Sequence, residues 1–344
     1  MSATVVPAQE PVPTQPAARP VLRVPHAGWR VIAAKEFGDH LLSVRFLVLL
    51  IMLGLAAAIP LYFAADQIKA AAPQVAGAQA VFLFLFTVGS PDISILRVDV
   101  FVGLVAPLLG LAFAFDAVNG ERSEGTLPRL LAQPIYRDDV INGKFAAGMA
   151  AIGLVLVAVV ALIAAFGIIR LGIVPHDQDI VRLIAWLAAT FLYVALWLAF
   201  GLLLSVVIRR AATAAVVGFG VWLLIAVFGG LFTTIINGVF APSADATLEQ
   251  QIGSIQIQQF IGRLLPSTLY SDISTVILDP RTVRISAPAS VGEAQQGAQQ
   301  IQGVVLSIDQ SLLLVWPQIV ALVALTVVCF GLAYVAFMRQ EVRA

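Results

Sequence analysis

The sequence is poor in charge and in the residues that hold metals or form disulfides. Charged residues make up 12% of the 344 residues, the formal net charge is zero, and there are one cysteine and three histidines. A single cysteine cannot form an intrachain disulfide, and so few cysteines and histidines argue against a dedicated metal site. Zero net charge provides no basic field for nucleic acid. We therefore expect no metal cofactor and no nucleic-acid partner.

Nucleotide-binding and catalytic motifs are also missing. No Gly-x-x-x-x-Gly-Lys-Ser/Thr loop is present, and Gly143-Lys144 lacks the upstream glycine and is followed by Phe145. That pair therefore cannot cradle a nucleotide phosphate. There is no His-Glu-x-x-His motif and no Ser/His/Asp or Cys/His arrangement with a common face. We expect a chain that is not an enzyme and binds no cofactor itself.

Long apolar runs dominate what is present. The chain is 60% hydrophobic with a mean hydropathy of +0.95, and about 20 apolar residues cross a membrane as a helix. Six runs are predicted to span: 46–65, 99–116, 145–169, 183–208, 212–236 and 313–337. The run Val81–Val88 is too short, so we expect it to dip into the interface or cap the bundle. The prediction is an all-α integral membrane protein.

The distribution of basic residues predicts the orientation. With both termini cytoplasmic, thirteen of the twenty Lys and Arg residues fall in inner segments and seven in outer ones. Residues 1–27, rich in Pro, Ala and Val, contain no secretory signal and are predicted to be a disordered cytoplasmic tail. Residues 28–239 hold spans one to five, 240–311 form an extracytoplasmic helical insert, and 312–344 hold span six and a short tail.

Two segments outside the spans are predicted to be helical. Residues 28–44 alternate apolar and charged side chains at helical spacing, which indicates an amphipathic helix on the inner leaflet. It is either a plain membrane anchor or an elbow helix that also touches a cytoplasmic partner. In the insert, Leu248–Leu265 predicts one helix, and Pro266 begins a second that Ser267 or Thr268 caps and Asp279-Pro280 ends. The insert is either a lid or a docking platform for an extracytoplasmic partner.

Spans one and three to six contain no ionisable side chain in their central parts, and span two lies between Asp99 and Asp116. Ion-coupled carriers need ionisable groups at mid-depth, so their absence argues against secondary transport. An apolar path suits a lipid-like or amphiphilic cargo. Asp116, at the inner end of span two, is expected to lie near Lys35 or Arg45.

The inner loop 115–134 is the most informative segment. Asn119-Gly120 predicts a turn, and Glu121, Arg122 and Glu124 alternate in sign and are expected to be exposed. Thr126 is predicted to cap a short helix over Leu127–Ala132. A further helix begins near Tyr136 and runs through Lys144 into span three. This hairpin is either a surface feature with solvated charges or a docking surface for another protein.

This loop resembles the signature of ABC-2 type transporter permeases. The matching residues are Asp116, Gly120-Glu121-Arg122, Gly125-Thr126-Leu127, Leu130-Leu131, Pro134, Arg137 and Gly143-Lys144. Pro128 departs from the pattern, which leaves the geometry of the short helix open. The segments Ala34–Phe37, Pro266–Ser271, Val315–Gln318 and Phe337–Glu341 extend the resemblance over nearly the whole chain after residue 28, to the branch of multi-copper-enzyme maturation permeases.

The resemblance implies a permease of a bacterial inner membrane that pairs with a second copy or a sister chain. Each copy would bind a separate ABC ATPase subunit that carries ATP and Mg. A cytoplasmic coupling helix between spans two and three would dock the ATPase through Glu121, Arg122, Glu124, Gly125, Thr126, Leu127, Arg129 and Leu130. The elbow helix would add a second contact through Lys35, Glu36 and Asp39. Two alternatives remain: a mechanical transmitter that drives an extracytoplasmic partner without moving cargo, and a self-standing channel or carrier.

Overall fold

The computed structural model describes most of the chain. The described residues are 28–75, 82–87, 97–126, 135–241, 247, 253–254, 257–258, 260–280 and 306–340. Within these ranges every regular element is a helix and no strand occurs. The predicted tail 1–27 and the predicted helix 127–132 lie outside the described residues, and so do eight of the eighteen residues of the predicted helix 248–265.

Ten α-helices are assigned within the described ranges. They are α1 Gly28–Leu41, α2 Val44–Val75, α3 Phe84–Thr87, α4 Val98–Ala114, α5 Asn119–Ser123, α6 Arg137–Leu171, α7 Asp177–Val207, α8 Ala211–Val239, α9 Pro266–Leu278 and α10 Ile308–Met338. The predicted helix at 28–44 is present as α1. The helix predicted to begin near Tyr136 is also present, because α6 continues unbroken from Arg137 through Lys144 into a span.

Six helical segments are long and apolar enough to cross a membrane, as predicted. They are Val44–Phe63, Val98–Ser123, Arg137–Leu171, Asp177–Val207, Ala211–Val239 and Ile308–Met338. Because successive spans alternate in direction, α1, α5 and the final residues lie at one end of the bundle, called here the α1 end. Helices α3 and α9 lie at the other, called the α9 end.

The centre of the bundle is the pair α4 and α7, which have the largest buried shares among the six spans. Close approach explains this, because a Cβ on Gly110 of α4 would stand 2.7 Å from the backbone nitrogen of Leu198 and 2.8 Å from the carbonyl oxygen of Val194. Small residues let helix backbones meet in this way. By contrast, α8 buries only Ala214, Gly218 and Gly229, so most of its apolar surface faces outward.

Helix α9 is part of the core at its end of the bundle. It packs against α10, α7 and α4, and its Leu269, Ile273 and Ile277 are buried. The predicted caps are wrong, since Ser267 and Thr268 lie inside the helix and the N-cap is Leu265, with proline at the first helical position. Proline suits that position because its missing N–H has no partner there anyway. The helix ends at Asp279, as predicted.

Helix α3 is a single turn, so the prediction that this run is too short to span is confirmed. Phe82 and Phe86 are buried, and the Phe86 ring lies 5.3 Å from the Trp186 ring, edge to face. The turn closes the α9 end of the bundle against α4 and α9.

Candidate functional site

The α1 end holds the segment that the sequence singles out, and its first part is helical. Asn119-Gly120 begins α5, so the turn predicted there is wrong. The reason is tertiary: the Ser205 hydroxyl oxygen on α7 accepts hydrogen bonds from the backbone nitrogens of Val118 (2.9 Å) and Asn119 (3.2 Å). These N–H groups would otherwise lack partners at a helix start. The Asn119 amide nitrogen also donates to the Ile208 carbonyl at 3.2 Å.

Helix α5 ends in a glycine turn. Gly125 has φ +70°, which side chains with a Cβ rarely adopt. The Gly125 nitrogen donates to the Arg122 carbonyl at 3.3 Å, and the Thr126 nitrogen donates to the Glu121 carbonyl at 2.9 Å. This pair of bonds is a Schellman motif. The Thr126 hydroxyl donates to the same Glu121 carbonyl at 3.2 Å, so in the structure it closes α5.

A buried lysine joins three segments below this turn. Lys144 of α6 is 6% exposed. Its Nζ lies 2.7 Å from Glu121 Oε1 of α5 and 3.2 Å from Glu36 Oε1 of α1. We call Lys144, Glu36 and Glu121 the ion centre. The Glu121 side chain is only 19% exposed, which corrects the expectation of an exposed carboxylate: the buried lysine draws it inward, since a buried cation needs a counter-charge.

The residue before the lysine brings α1 close enough for this contact. A Cβ on Gly143 would stand 2.8 Å from the Ile32 Cβ and 2.9 Å from the Trp29 carbonyl oxygen. Only glycine fits, and α1 packs mainly along α6 through this contact. Helix α1 is therefore fixed to α6 on one side. Its Val31 is 68% exposed and faces away from this contact. The pair Gly143-Lys144 supplies both the packing contact and the charge.

A second group of contacts joins α5 to the end of the chain. One Arg122 guanidinium nitrogen donates to Gln340 Oε1, and Arg137 Nη1 donates to the Gln340 backbone carbonyl at 3.0 Å. Gln340 Nε2 in turn donates to the Val206 carbonyl of α7 at 2.6 Å. We call Arg122, Arg137, Gln340 and Val206 the Gln340 latch. It holds α5, α6, α7 and the residues after α10 together.

Asp116 has the neighbour that the sequence predicts. Its Oδ2 lies 2.5 Å from Arg45 Nη1, and the Arg45 guanidinium lies 5.3 Å from the Phe115 ring centroid. Lys35, the other candidate, pairs on its own helix with Asp39 at 3.1 Å and Glu36 at 3.6 Å.

The predicted docking residues fall into inward and outward groups. Glu36, Glu121 and Arg122 are engaged inside the chain by the contacts above. Glu124, Gly125 and Thr126 are exposed, and so are Lys35 and Asp39. Leu127, Arg129 and Leu130 lie outside the described residues. The exposed surface of Glu124–Thr126, Lys35 and Asp39 is what remains available to a partner, and we call it the outer face of the site.

Sequence reasoning did not foresee the contacts that organise the site, although Lys144 and Gln340 lie in segments that carry the family resemblance. Ser205, Lys144 and Gln340 bind α5 from three other helices or their ends. A lysine within a long apolar helix is a signal for Lys144, because such a charge is costly without a partner. No comparable signal marks Ser205, since an isolated serine in a span usually bonds within its own helix.

The α9 end is organised by a buried arginine. Arg182 of α7 is 3% exposed. Its Nη1 donates to the Ile277 carbonyl at 2.9 Å and to Ser311 Oγ at 3.1 Å, and its Nη2 donates to the Leu306 carbonyl at 2.5 Å. It thereby ties α7 to the end of α9 and the start of α10.

Comparisons with known proteins agree with the membrane architecture. The family model described as "ABC-2 family transporter protein" matches residues 30–342. The curated "Probable ABC transporter permease protein NosY" of Stutzerimonas stutzeri is 31% identical over 124 residues, which is 34% of this chain and 43% of that protein. The matched part is thus less than half the length of that relative. With the family model matching from the first turn of α1 to beyond α10, this multi-pass membrane protein belongs to the ABC-2 family of transporter proteins.

Proposed function

We propose that the chain is the permease subunit of an ABC transporter that exports an amphiphilic substrate, driven by a separate ATPase subunit. The ATP and Mg are held by that subunit. The α1 end faces the cytoplasm of a bacterial cell, with both termini inside and the spans in the inner membrane, as the excess of basic residues at that end favours. The single observation that carries the proposal is the ion centre, which links an exposed turn to two helices of the bundle.

The route of coupling follows from these contacts. An ATPase that binds the outer face presses on Glu124–Thr126 and on the residues that follow them in the chain. Helix α5 is too short to bend, and its Glu121 is held by Lys144 of α6. The displacement therefore passes to α1 and α6 through the ion centre and to α7 and α10 through the Gln340 latch. Long helices move as units, so the α9 end moves as well.

A second copy of the chain, or a sister chain, completes the transporter. Helix α8 is the least packed span, with large apolar side chains such as Leu224, Val227 and Leu231 exposed. Such a surface suits contact with lipid or with another permease. A pair of permeases provides one docking face for each of two ATPase subunits.

A charge reversal on the outer face tests the proposal. The purified chain in nanodiscs is mixed with the ATPase encoded beside it, and binding and ATP turnover are measured. We expect Glu124→Lys to weaken binding about tenfold, because reversing one exposed interface charge costs about 1–2 kcal/mol. Asp177→Lys, the same change at the α9 end, is the matched control. Equal binding by both variants would remove the outer face as the docking site, and no binding by the unchanged chain would remove the ATPase partnership.

The transmitter hypothesis is favoured by one observation. The Leu306 backbone nitrogen donates to the Pro280 carbonyl at 2.9 Å, so the two residues that flank 281–305 meet beside Arg182. Because α10 begins two residues after Leu306, a movement of α10 also moves the residue at which 281–305 ends. This suits a segment that acts on an extracytoplasmic partner.

Excising that segment separates export from transmission. Residues 281–305 are replaced by two glycines, which the contact between Pro280 and Leu306 permits without disturbing α9. Under export, ATP-driven substrate movement persists in the shortened chain. Under transmission, ATP turnover persists while the function of the extracytoplasmic partner is lost. A self-standing channel or carrier instead predicts flux in liposomes without any ATPase.

A further inference from the structure

A cavity of about 660 Å³ lies between α4, α7, α8 and α9, towards the α9 end. It is partly open, and its volume is in the range of small-molecule sites, about 300–1,000 Å³. None of its lining residues belongs to the ion centre, the Gln340 latch or the outer face. The cavity is therefore separate from the site at the α1 end.

The lining changes from apolar to polar along the cavity. Leu104, Trp222 and Ile225 lie at the deep end, while Thr233 and Asn237 lie near the end of α8, facing residues of the segment before and within α9. From Trp222 to Asn237 the cavity follows α8 for about 22 Å at 1.5 Å per residue. One membrane leaflet, half the hydrocarbon core plus one headgroup layer, is about 20–22 Å thick. The change from an apolar to a polar lining thus matches the change from hydrocarbon chain to headgroup along one lipid.

One wall of the cavity is a fixed aromatic surface. The rings of Tyr193 and Tyr270 stack at 4.5 Å between centroids and 11° between planes. The Tyr270 hydroxyl shares a hydrogen bond of 3.0 Å with Thr190, and the Trp222 indole nitrogen donates to the Leu104 carbonyl at 3.1 Å. Tyr270 cannot rotate away without losing a buried hydrogen bond, and Trp222 cannot do so without losing its bond to Leu104. The wall is therefore pre-formed and does not need to be ordered by a ligand.

The polar end holds one charge of each sign. Asp99 also lines the cavity, but Arg97 already binds it with Nε at 3.0 Å from Oδ1 and Nη2 at 2.6 Å from Oδ2. Among the described residues neither Arg263 nor Asp272 forms an ion pair. Burial raises the pKa of the Asp272 carboxyl to about 6, although the nearby Gln318 side chain and then the charge of Arg263 oppose this. A cationic group bound beside Asp272 would offset that burial, and an anionic group would pair with Arg263.

We infer that this cavity binds an amphiphile with a zwitterionic headgroup, its anionic group at Arg263, its cationic group at Asp272 and its hydrocarbon along Trp197 and Trp222. The inference rests on the proposed export function and names the class of its substrate. A phospholipid with a phosphate and an ammonium group has this chemistry. The cavity would take the headgroup and the first part of one chain, leaving the remainder in the membrane.

The test uses the purified chain alone, in nanodiscs without ATPase or nucleotide. A phosphatidylethanolamine with a diazirine in its acyl chain is photoactivated, and labelled peptides are identified by mass spectrometry. We expect labelling of peptides that contain Trp222 or Trp197. Gly230→Leu should reduce it about tenfold, because Gly230 lines the cavity and a side chain there would enter open space. Gly220→Leu, equally unobstructed on the same helix but outside the lining, should leave it unchanged.

Competition by unlabelled molecules tests the headgroup. Phosphatidylethanolamine should compete about tenfold better than phosphatidylglycerol or diacylglycerol, and Arg263→Gln with Asp272→Asn should abolish that preference. Equal competition by the three lipids would overturn the headgroup assignment. Equal competition by water-soluble phosphoethanolamine would overturn the amphiphile, and labelling that Gly230→Leu does not reduce would overturn the site. Failure to bind an ATPase leaves these readouts untouched, so the two proposals fail separately.

Discussion

The two ends of the bundle each hold a buried cation, but the cations have different partners. At the α1 end, Lys144 faces two carboxylates from α1 and α5, at 2.7 and 3.2 Å. At the α9 end, Arg182 donates to two backbone carbonyls and a hydroxyl. Carboxylates on separate helices can exchange partners when a helix shifts, whereas the carbonyls at the ends of α9 and before α10 are fixed by the backbone. The α1 end is therefore suited to rearrangement and the α9 end to rigid connection.

The largest effect on stability is expected from removing the buried arginine at the α9 end. Arg182→Ala leaves the Ile277 and Leu306 carbonyls without this donor, at a position where the arginine itself is only 3% exposed. Because hydrogen bonds from a charged donor contribute about 1.5–3 kcal/mol each, we expect the free energy of unfolding to fall by about 3–5 kcal/mol. Thermal unfolding in detergent measures the change. Arg170→Ala, at an exposed position of the same end, should be nearly neutral; similar losses in both variants would show that Arg182 is not the connection.

The next largest effect is expected at the other cation. Lys144→Met leaves Glu36 and Glu121 facing each other without a counter-charge, which should cost about 2–3 kcal/mol, less than a fully buried case because both carboxylates keep some solvent. ATP turnover with the partner ATPase should lose its dependence on the permease. Lys35→Met, which removes an exposed lysine on α1, should change stability by less than about 0.5 kcal/mol.

The two carboxylates can be ranked in the same experiment. Glu121→Gln should cost more than Glu36→Gln, because Glu121 is nearer to the ammonium group, and the double variant should show non-additivity between them. Additive losses would indicate that the three side chains do not act as one centre. Full retention of coupling in Lys144→Met would remove the ion centre from the proposed route.

How far the sequence predicts this molecule depends on whether a feature is local. The six spans, the continuous helix through Lys144 and the stop at Asp279 were all predicted, because run length and turn residues act over a few positions. The role of the inner-loop motif as a docking site stays a prediction. Its local structure was predicted less well: the turn signal of Asn119-Gly120 was overridden by Ser205, a residue more than eighty positions away.

The ion centre was beyond prediction for the same reason. Glu36, Glu121 and Lys144 lie on three segments, and their meeting depends on how α1 and α5 are rotated against α6. An expectation that Glu121 faces water treats it as a loop residue, while a cation on the next helix, Lys144 of α6, decides the direction of its side chain. The outer docking surface remains a prediction, since Leu127, Arg129 and Leu130 lie outside the described residues.

A smaller effect is expected from the packing that brings α1 to the ion centre. In Gly143→Ala the new methyl group would meet Ile32 and the Trp29 carbonyl, and the displacement should cost about 1–3 kcal/mol. Gly38→Ala is the matched control on α1, where a Cβ meets nothing within 4 Å, and it should stabilise the helix by up to about 1 kcal/mol. Cysteine labelling of Ile32→Cys in a Cys329→Ser background measures whether α1 detaches. Equal behaviour of the two glycine variants would show that α1 is held by the ion centre alone.

The smallest effect is expected in how the free energy of unfolding depends on pH. The folded pKa of Asp272 is raised to about 6 from 3.8, so the folded chain holds this proton more tightly than the unfolded chain. Its contribution to stability is therefore complete below pH 3.8 and is lost as the pH rises through about 6. We expect Asp272→Asn to be more stable than the unchanged chain by about 1 kcal/mol at pH 7.5 and equal to it near pH 4.

Thermal unfolding of both chains across this pH range measures the difference, with Asp177→Asn as the exposed control. A constant difference between the two chains at all pH values would mean that the Asp272 carboxyl does not titrate in this window. If a zwitterionic lipid is added and the stability difference at pH 7.5 disappears, the Asp272 carboxylate has paired with the cationic group of the lipid. The α9 end would then be the end whose stability depends on the bound amphiphile, while the α1 end depends on its own charges.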